Sequence, residues 1–457
     1  MTAETSRRGT PAGLPPARPA TAIVVGGGWS GIAAAWYLRR HGVQVTLLDE
    51  QNSLGGRSSG ERLGDRDVTL GGKNIGARYT EFRSFVQELG GGPFEHFGIN
   101  TSRVEDGRLR TVDGQSKAAG IAGFLRRTPP RDVVRFWRMT RWVRGDDQDR
   151  FLGSPRFREL SRAHGDPTMD GYFGRYLQNA LVRPMTVRMN GAEPDELHLA
   201  DFSANLGMLL DRFEQLTDGF QTVFGEFAAT VSVQLETRAE ELLGDGSRTT
   251  GVRVRGRSGG SETYLADLTV LAVPANASAA LLRPSHPEVA AELDQIRYFP
   301  AAVVIAEYDQ PVFDVAARAI FFPPGSEVSN AGAYGRDDRH IIRYTFSGRP
   351  ARRNLVSASI EELRTRAESQ LAPHFPAIAQ ARLRHQVSRR WQHAFCAYSQ
   401  RHPDRLERID KLLGGSDGLL VTGDYRRGTS IEACFRAARE QVGSVVDNPS
   451  GRRSAAT

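Results

Sequence analysis

Lysine is scarce in this chain. Of its 60 lysine and arginine residues, only Lys73, Lys117 and Lys411 are lysine. Chemistry that needs an amine side chain therefore has three positions to choose from, and the arginine bias itself reads as GC-rich coding. Cysteine is nearly absent too. Cys396 and Cys434 are the only two in 457 residues, which gives no disulfide framework and fits a reducing cytoplasm. No run of about 18 apolar residues occurs, so no spanning helix is expected. His198, His393 and His402 share no metal-ligand spacing, and no Ser/His/Asp arrangement is recognisable, so neither a metal centre nor a hydrolase is expected. The formal charge of +7 is spread over arginines interleaved with acids, which argues against a nucleic-acid partner.

What is present describes a globular protein with 39% hydrophobic and 25% charged residues. The length suffices for two to three domains. Residues 1–20 are rich in Pro, Arg, Thr and Ala and read as a disordered tail, with a second loose end at 446–457. Arg7-Arg8 has no apolar segment after it, so an export signal is rejected. The basic, aromatic stretch 126–144 reads as a solvated surface helix, with membrane contact as the less favoured alternative.

The strongest local signal lies at residues 23–57. Ile23-Val24-Val25 is an apolar strand that runs into Gly26-Gly27-Gly28-Trp29-Ser30-Gly31. A small-residue helix follows to Arg40, then a strand over 43–48 that ends at Asp49-Glu50. This is the pattern of a dinucleotide site. Gly26 permits the tight turn, Gly28 lets backbone approach a pyrophosphate, and Gly31 lets helix and sheet pack closely. The helix start at Trp29, Ser30 and Gly31 offers N–H groups to phosphate, and an acid at the second strand end can accept ribose hydroxyls. The motif alone does not choose between NAD and FAD.

Further along, Asp67 to Leu70 reads as a short strand leading into Gly71-Gly72-Lys73-Asn74. Tyr79 to Leu89 reads as a helix, and 150–210 as largely helical. A helix is expected from Asp218-Gly219-Phe220 to about Thr230. Strands are expected over 231–237, 252–255, 264–273, 302–308, 341–346 and 419–422, and helices over 361–371 and 431–442.

Taken in order, these residues resemble the FAD-dependent amine oxidase, protoporphyrinogen oxidase and phytoene desaturase superfamily over about residues 21–445. The opening glycine motif with Asp49 is similar to its adenosine fingerprint. Gly55-Gly56-Arg57 is similar to the segment whose arginine pairs with the FAD diphosphate. Arg238-Ala239 falls where backbone meets adenine. Leu271-Ala272-Val273-Pro274 resembles the family's strand end. Trp391-Gln392-His393-Ala394-Phe395 resembles a segment bordering the flavin. Gly423-Asp424, with Ser430 and Ile431, resembles the C-terminal motif, where the acid binds the ribityl chain and a helix start faces the flavin N1–O2 edge.

The resemblance implies a two-domain α/β flavoprotein, with a Rossmann-like FAD domain at 21–85, 208–298 and 408–445. A discontinuous mixed α+β substrate domain would take 86–207 and 299–407. It implies FAD as cofactor and a mostly apolar small molecule as substrate. It also implies oxygen as the acceptor, removal of hydride from a C–N bond, and a tailoring role in secondary metabolism. Homodimerisation is left open.

Two departures stand out. Amine oxidases of the family hold a water near flavin N5 with a lysine, and the matching position here is Val303. One member of their amine-binding aromatic pair falls at Ser430, leaving Phe395 and Tyr398 to line the flavin face. Lys73 follows the glycine pair that lies beside the isoalloxazine, so it could support reduced flavin, bind an acidic substrate or act as a base. Asn74 could orient a substrate. The alternatives are C–C desaturation or ring oxidation, and a non-redox FAD isomerase. A thioether link at Cys396 is conceivable but not favoured.

Overall fold

The computed structural model describes residues 18–96, 101–105, 108–112, 126–355, 357–398 and 400–447. The expected tails fall almost wholly outside these residues, as does Lys117.

Five parallel strands form the first sheet, in the order Ser232–Gln234, Gln44–Leu48, Thr21–Val25, Leu268–Leu271, Leu419–Val421. The central strands are mostly apolar because both faces are covered, as parallel sheets require. Helix Trp29–Arg40 packs on helix Ile431–Val446 over one face. Ala33, Ala34 and Ala35 are fully buried there, and their small side chains let the helices approach. A three-stranded antiparallel meander, Arg238–Gly244, Thr249–Arg255 and Ser261–Leu265, is appended to this half.

The second large sheet has seven strands, in the order Leu383–Cys396, Tyr298–Tyr308, Ile341–Phe346, Val328–Ala333, Ala319–Phe321, Thr101–Glu105, Arg108–Val112. All its pairs are antiparallel except Ala319–Phe321 with Thr101–Glu105. Alternation divides it into two faces. Val304, Ala306, Ile342, Tyr344 and Phe346 pack under Leu363, Ala367 and Leu371 of helix Ile360–Leu371. On the opposite face Val303, Ile305 and Ile341 meet Leu63, Val68 and Leu70. Those three leucine and valine side chains come from the hairpin Gly60–Leu63/Arg66–Thr69 and the residue after it, which follow strand Gln44–Leu48 of the five-stranded sheet. That second face therefore looks onto the junction of the two halves.

The expected strand over 302–308 is longer, Tyr298–Tyr308. The 14-residue strand Leu383–Cys396 was not anticipated as a strand. Its sequence carries few apolar residues in alternation, because its outer edge is solvated. Residues 126–207 are mostly helical, with Pro130–Gly145, Pro155–Ala163 and Arg183–Asn190 the longest pieces. Among the described residues no helix is long and apolar enough to cross a membrane.

Candidate functional site

The glycine loop is shaped by three different needs. Gly26 has φ +108°, a backbone state that other residues reach at a cost. A Cβ on Gly31 would lie 1.8 Å from Gly26 O, so only glycine lets the helix sit so close. A Cβ on Gly28 would meet nothing within 4 Å. The loop thus leaves open space beside Gly28, at the start of a helix whose N-cap residue makes no side-chain cap. Such a cradle suits a pyrophosphate.

Asp49 is buried and binds this loop from below. Its Oδ2 accepts from Gly27 N at 2.5 Å and its Oδ1 from Gln51 N at 2.7 Å. Burial raises its pKa, and the two backbone donors oppose that. Glu50 is exposed and lies 3.8 Å from Arg238, so the acid pair meets the strand that begins at Arg238-Ala239. Gly55 N donates to Gly27 O at 2.8 Å, which pins Gly55-Gly56-Arg57 beside the glycine loop.

Arg57 spans to the far end of the chain. Its Nη1 donates to Asp424 Oδ2 at 2.8 Å and to Ala394 O at 2.9 Å. Asp424 is buried, and its Oδ1 accepts from Tyr298 Oη at 2.7 Å. Both carboxylate oxygens are therefore committed. Burial works to lower the pKa of Arg57, but Asp424 more than offsets it, and the guanidinium is held further up. Nε and Nη2 of Arg57 make no hydrogen bond among the described residues, and the side chain keeps 36% of its surface. One edge of the fork is thus free for an anion, as diphosphate binding needs. Ser430 caps helix Ile431–Val446, its Oγ accepting from Ala433 N at 3.1 Å.

Lys73 sits under the seven-stranded sheet. Its Nζ donates to Tyr334 O and to Gln215 Oε1 (3.1 Å), and lies 3.6 Å from the centre of the Tyr334 ring. Burial first, then the positive charge of Arg343, lowers its pKa from 10.5 to about 7. Tyr334 belongs to the same apolar cluster as Val303, and Trp391 packs against that cluster. The fold therefore places Lys73 at the edge of the apolar cluster that contains Val303, although the two are far apart in sequence. Gly71 is needed here, because a Cβ would lie 1.7 Å from Arg57 O, whereas Gly72 is open. Asn74 is half-buried beside Lys73.

One expectation requires correction, and two are sharpened. Tyr398 does not line a cavity: it is 1% exposed and packs on His402. Its neighbour Cys396 is fully buried, which leaves no route to a flavin thioether there. The Trp29 side chain packs among Phe82, Phe220, Phe224 and Phe435, so only its backbone stands at the helix start. Phe395 is half-buried and lies against Gly191. His402 is structural: its Nε2 lies 2.7 Å from Tyr425 O, and burial lowers its pKa to about 4. No group of residues suited to a metal ion occurs among the described residues.

Several site residues carry no signal in the sequence. Tyr298, Tyr334, Gln215 and Arg343 reach the site only through strand pairing. Glu432 is buried and accepts from Thr80 Oγ1, Glu81 N and Phe82 N, so it caps helix Thr80–Glu88 from the final helix. An acid two residues past Ser430 was visible, but not its target.

The sequence profile of the family described as flavin containing amine oxidoreductase matches residues 29–446. A Mycobacterium tuberculosis protein assigned as a flavin-containing monoamine oxidase is 28% identical, over 44% of this chain and 43% of its own length. The chain thus spans less than half of that relative. Coproporphyrinogen III oxidase of Propionibacterium freudenreichii is 24% identical over 96% of this chain and 93% of its own. Cyclohexylamine oxidase from Brevibacterium oxydans shares the fold, with a TM-score of 0.70 at 16% identity, covering 94% of this chain and 99% of that one.

Proposed function

The chain belongs to the flavin-containing amine oxidoreductases, and from that premise we propose that it oxidises a C–N bond of a mostly apolar small molecule, amine or amide to imine. A bound flavin would supply the hydride acceptor, with oxygen as the final electron acceptor. The observation that carries this reading is Lys73, held beside Gly71-Gly72 with a pKa of about 7. Near neutral pH such an amine takes up or releases a proton readily. In this reading Lys73 supplies, from the loop after Gly71-Gly72, the amine side chain that position 303 lacks.

The other residues have defined tasks. The glycine loop and Arg57 hold the diphosphate, Asp49 and Glu50 the ribose side, and Ala239 the adenine. Asp424 with Tyr298 orients Arg57 and the ribityl region. Gly423, Ser430 and Ile431 place a helix N-terminus against the site. Trp391 and Phe395 wall it, and Asn74 orients the substrate.

A second reading, oxidation of C–C bonds in a ring system, is favoured by the apolar surroundings of Val303 and by the near full-length match to a coproporphyrinogen oxidase. A cytoplasmic location and a role in tailoring secondary metabolites complete the proposal.

Anaerobic mixing of the yellow protein with amines, amides and cyclic alkenes tests it. Flavin bleaching by a C–N substrate, with peroxide on adding air, is expected. Bleaching by the ring substrates alone would move the assignment to the second reading.

A further inference from the structure

Helix Pro130–Gly145 presents two contrasting faces. The inner one is ordinary: Met139 and Val143 are fully buried, and Phe136 and Trp142 pack against the same core. The outer one is a stripe of Arg131, Val134, Trp137, Arg138, Arg141 and Arg144, at the spacing of one helical face. Val134 keeps 63% of its surface and Trp137 keeps 59%. Trp137 is the only exposed Phe, Tyr or Trp among the described residues. The sequence favours a solvated helix over 126–144, but the structure turns these apolar side chains outward, which reverses that preference.

No acid shares the stripe. Asp132, the helix's one acid, is buried, and its Oδ2 accepts from Gly174 N at 2.8 Å. Arg131 lies 3.8 Å from its other oxygen. Arg138 donates to Tyr172 Oη at 3.3 Å, and Arg141 stands 5.5 Å from the centre of the Trp137 ring. Neither of these two, nor Arg144, has a carboxylate partner among the described residues. The acids that follow the helix are engaged elsewhere, Asp147 with Arg436 and Asp149 with Arg156. On the next helix, Pro155–Ala163, the pattern is the usual one: Arg158 and Arg162 bond Asp404 at 2.9 and 3.1 Å.

Single exposed apolar residues are common, but two on one face among cations ask for a surface with both characters. An indole and an aliphatic side chain suit the boundary between lipid head groups and acyl chains, and guanidinium forks suit phosphate oxygens. A second copy of the chain would set this positive stripe against itself. A nucleic acid would meet the cations but leave Val134 without apolar cover. We propose that helix Pro130–Gly145 docks the protein on an anionic phospholipid surface. Trp137 and Val134 insert at the head-group boundary, and Arg138, Arg141 and Arg144 meet lipid phosphates. The helix lies in the plane of that surface and does not cross it. The inference concerns where the protein works, and holds whichever bond it oxidises.

Co-sedimentation of the full FAD-loaded chain with lipid vesicles tests it. Vesicles mixing phosphatidylglycerol with phosphatidylcholine should carry the protein down. Pure phosphatidylcholine should bind it about 100-fold more weakly, from three arginines at about fivefold each. Arg141→Gln combined with Arg144→Gln should weaken binding to the anionic vesicles about 25-fold, and Trp137→Ser about tenfold. Flavin content and Tm should stay unchanged in both variants, because the altered side chains lie outside the core. Trp137 emission should shift to the blue on anionic vesicles, read as the difference between the unsubstituted protein and Trp137→Phe. No sedimentation with anionic vesicles, equal binding to both lipids, or binding untouched by both variants would overturn the proposal. Binding to soluble polyglutamate through the same side chains, with vesicles left unbound, would overturn it in favour of an acidic protein partner.

Discussion

The two halves of the molecule meet their ligands in opposite ways. The parallel sheet presents backbone: Gly28 leaves a vacant volume, and Gly31 lets a helix touch the turn. The seven-stranded sheet presents side chains, with Arg343 from strand Ile341–Phe346 brought to Gly71 and the Tyr334 ring, just past strand Val328–Ala333, brought to Lys73. Recognition by backbone depends on what is left out, and tolerates almost no substitution. Recognition by side chains depends on what is put in, and can be retuned position by position.

Breaking the backbone half should have the largest effect. Gly31→Ala forces a methyl into Gly26 O. It should cost upwards of about 3 kcal/mol, seen as a large fall in Tm with loss of bound flavin. Gly28→Ala sharpens the contrast, since its methyl enters open space: Tm of the flavin-free protein should hold while flavin affinity falls. Equal losses of Tm in the two variants would dissolve the distinction.

Lys73→Met should break the side-chain half alone, slowing flavin reduction by about 100-fold or more while flavin stays bound. The pH profile carries a sign. Reduction by the unsubstituted enzyme should rise through about pH 7 as Lys73 loses its proton, and the variant should be flat. Stability moves in the same direction. Between pH 7 and the ordinary value of 10.5 the unfolded chain holds the proton and the folded one does not, so the Lys73 contribution is least favourable below 7 and improves up to 10.5. The stability of the unsubstituted protein relative to Lys73→Met, measured by denaturant titration, should therefore rise between pH 7 and 10.5.

Arg57→Ala touches both halves. Flavin affinity should drop about tenfold or more, the worth of a charge-assisted contact, and full flavin occupancy after dialysis would contradict the phosphate contact. The smallest effect should come from Glu432→Gln, which weakens the cap on helix Thr80–Glu88 by about 1 kcal/mol. A Tm shift with unchanged flavin reduction is the expected pattern.

The same asymmetry decides what was legible. Gly26, Gly28 and Gly31 announce their roles because their spacing is fixed by one turn and one helix. Strand Ile341–Phe346 was legible as a strand, but not that Arg343 on it would stand over Gly71. That depends on register with Tyr298–Tyr308 and Val328–Ala333, pairings across long loops that sequence periodicity does not record. Tyr398 failed in the other direction: proximity to Phe395 in sequence suggested a shared wall, but the chain leaves the strand after Cys396 and takes Tyr398 into the core with φ +55°.

Strand Leu419–Val421 closes one edge of the sheet that begins with Thr21–Val25, and helix Ile431–Val446 lies over the opening helix. During synthesis the glycine loop therefore emerges about 390 residues before the strand and the helix that complete and cover its sheet. A ribosome stalled before Leu419 would hold an intact loop on an unfinished platform. The order in which the chain is made thus postpones cofactor capture until strand Leu419–Val421 and helix Ile431–Val446 have followed the loop.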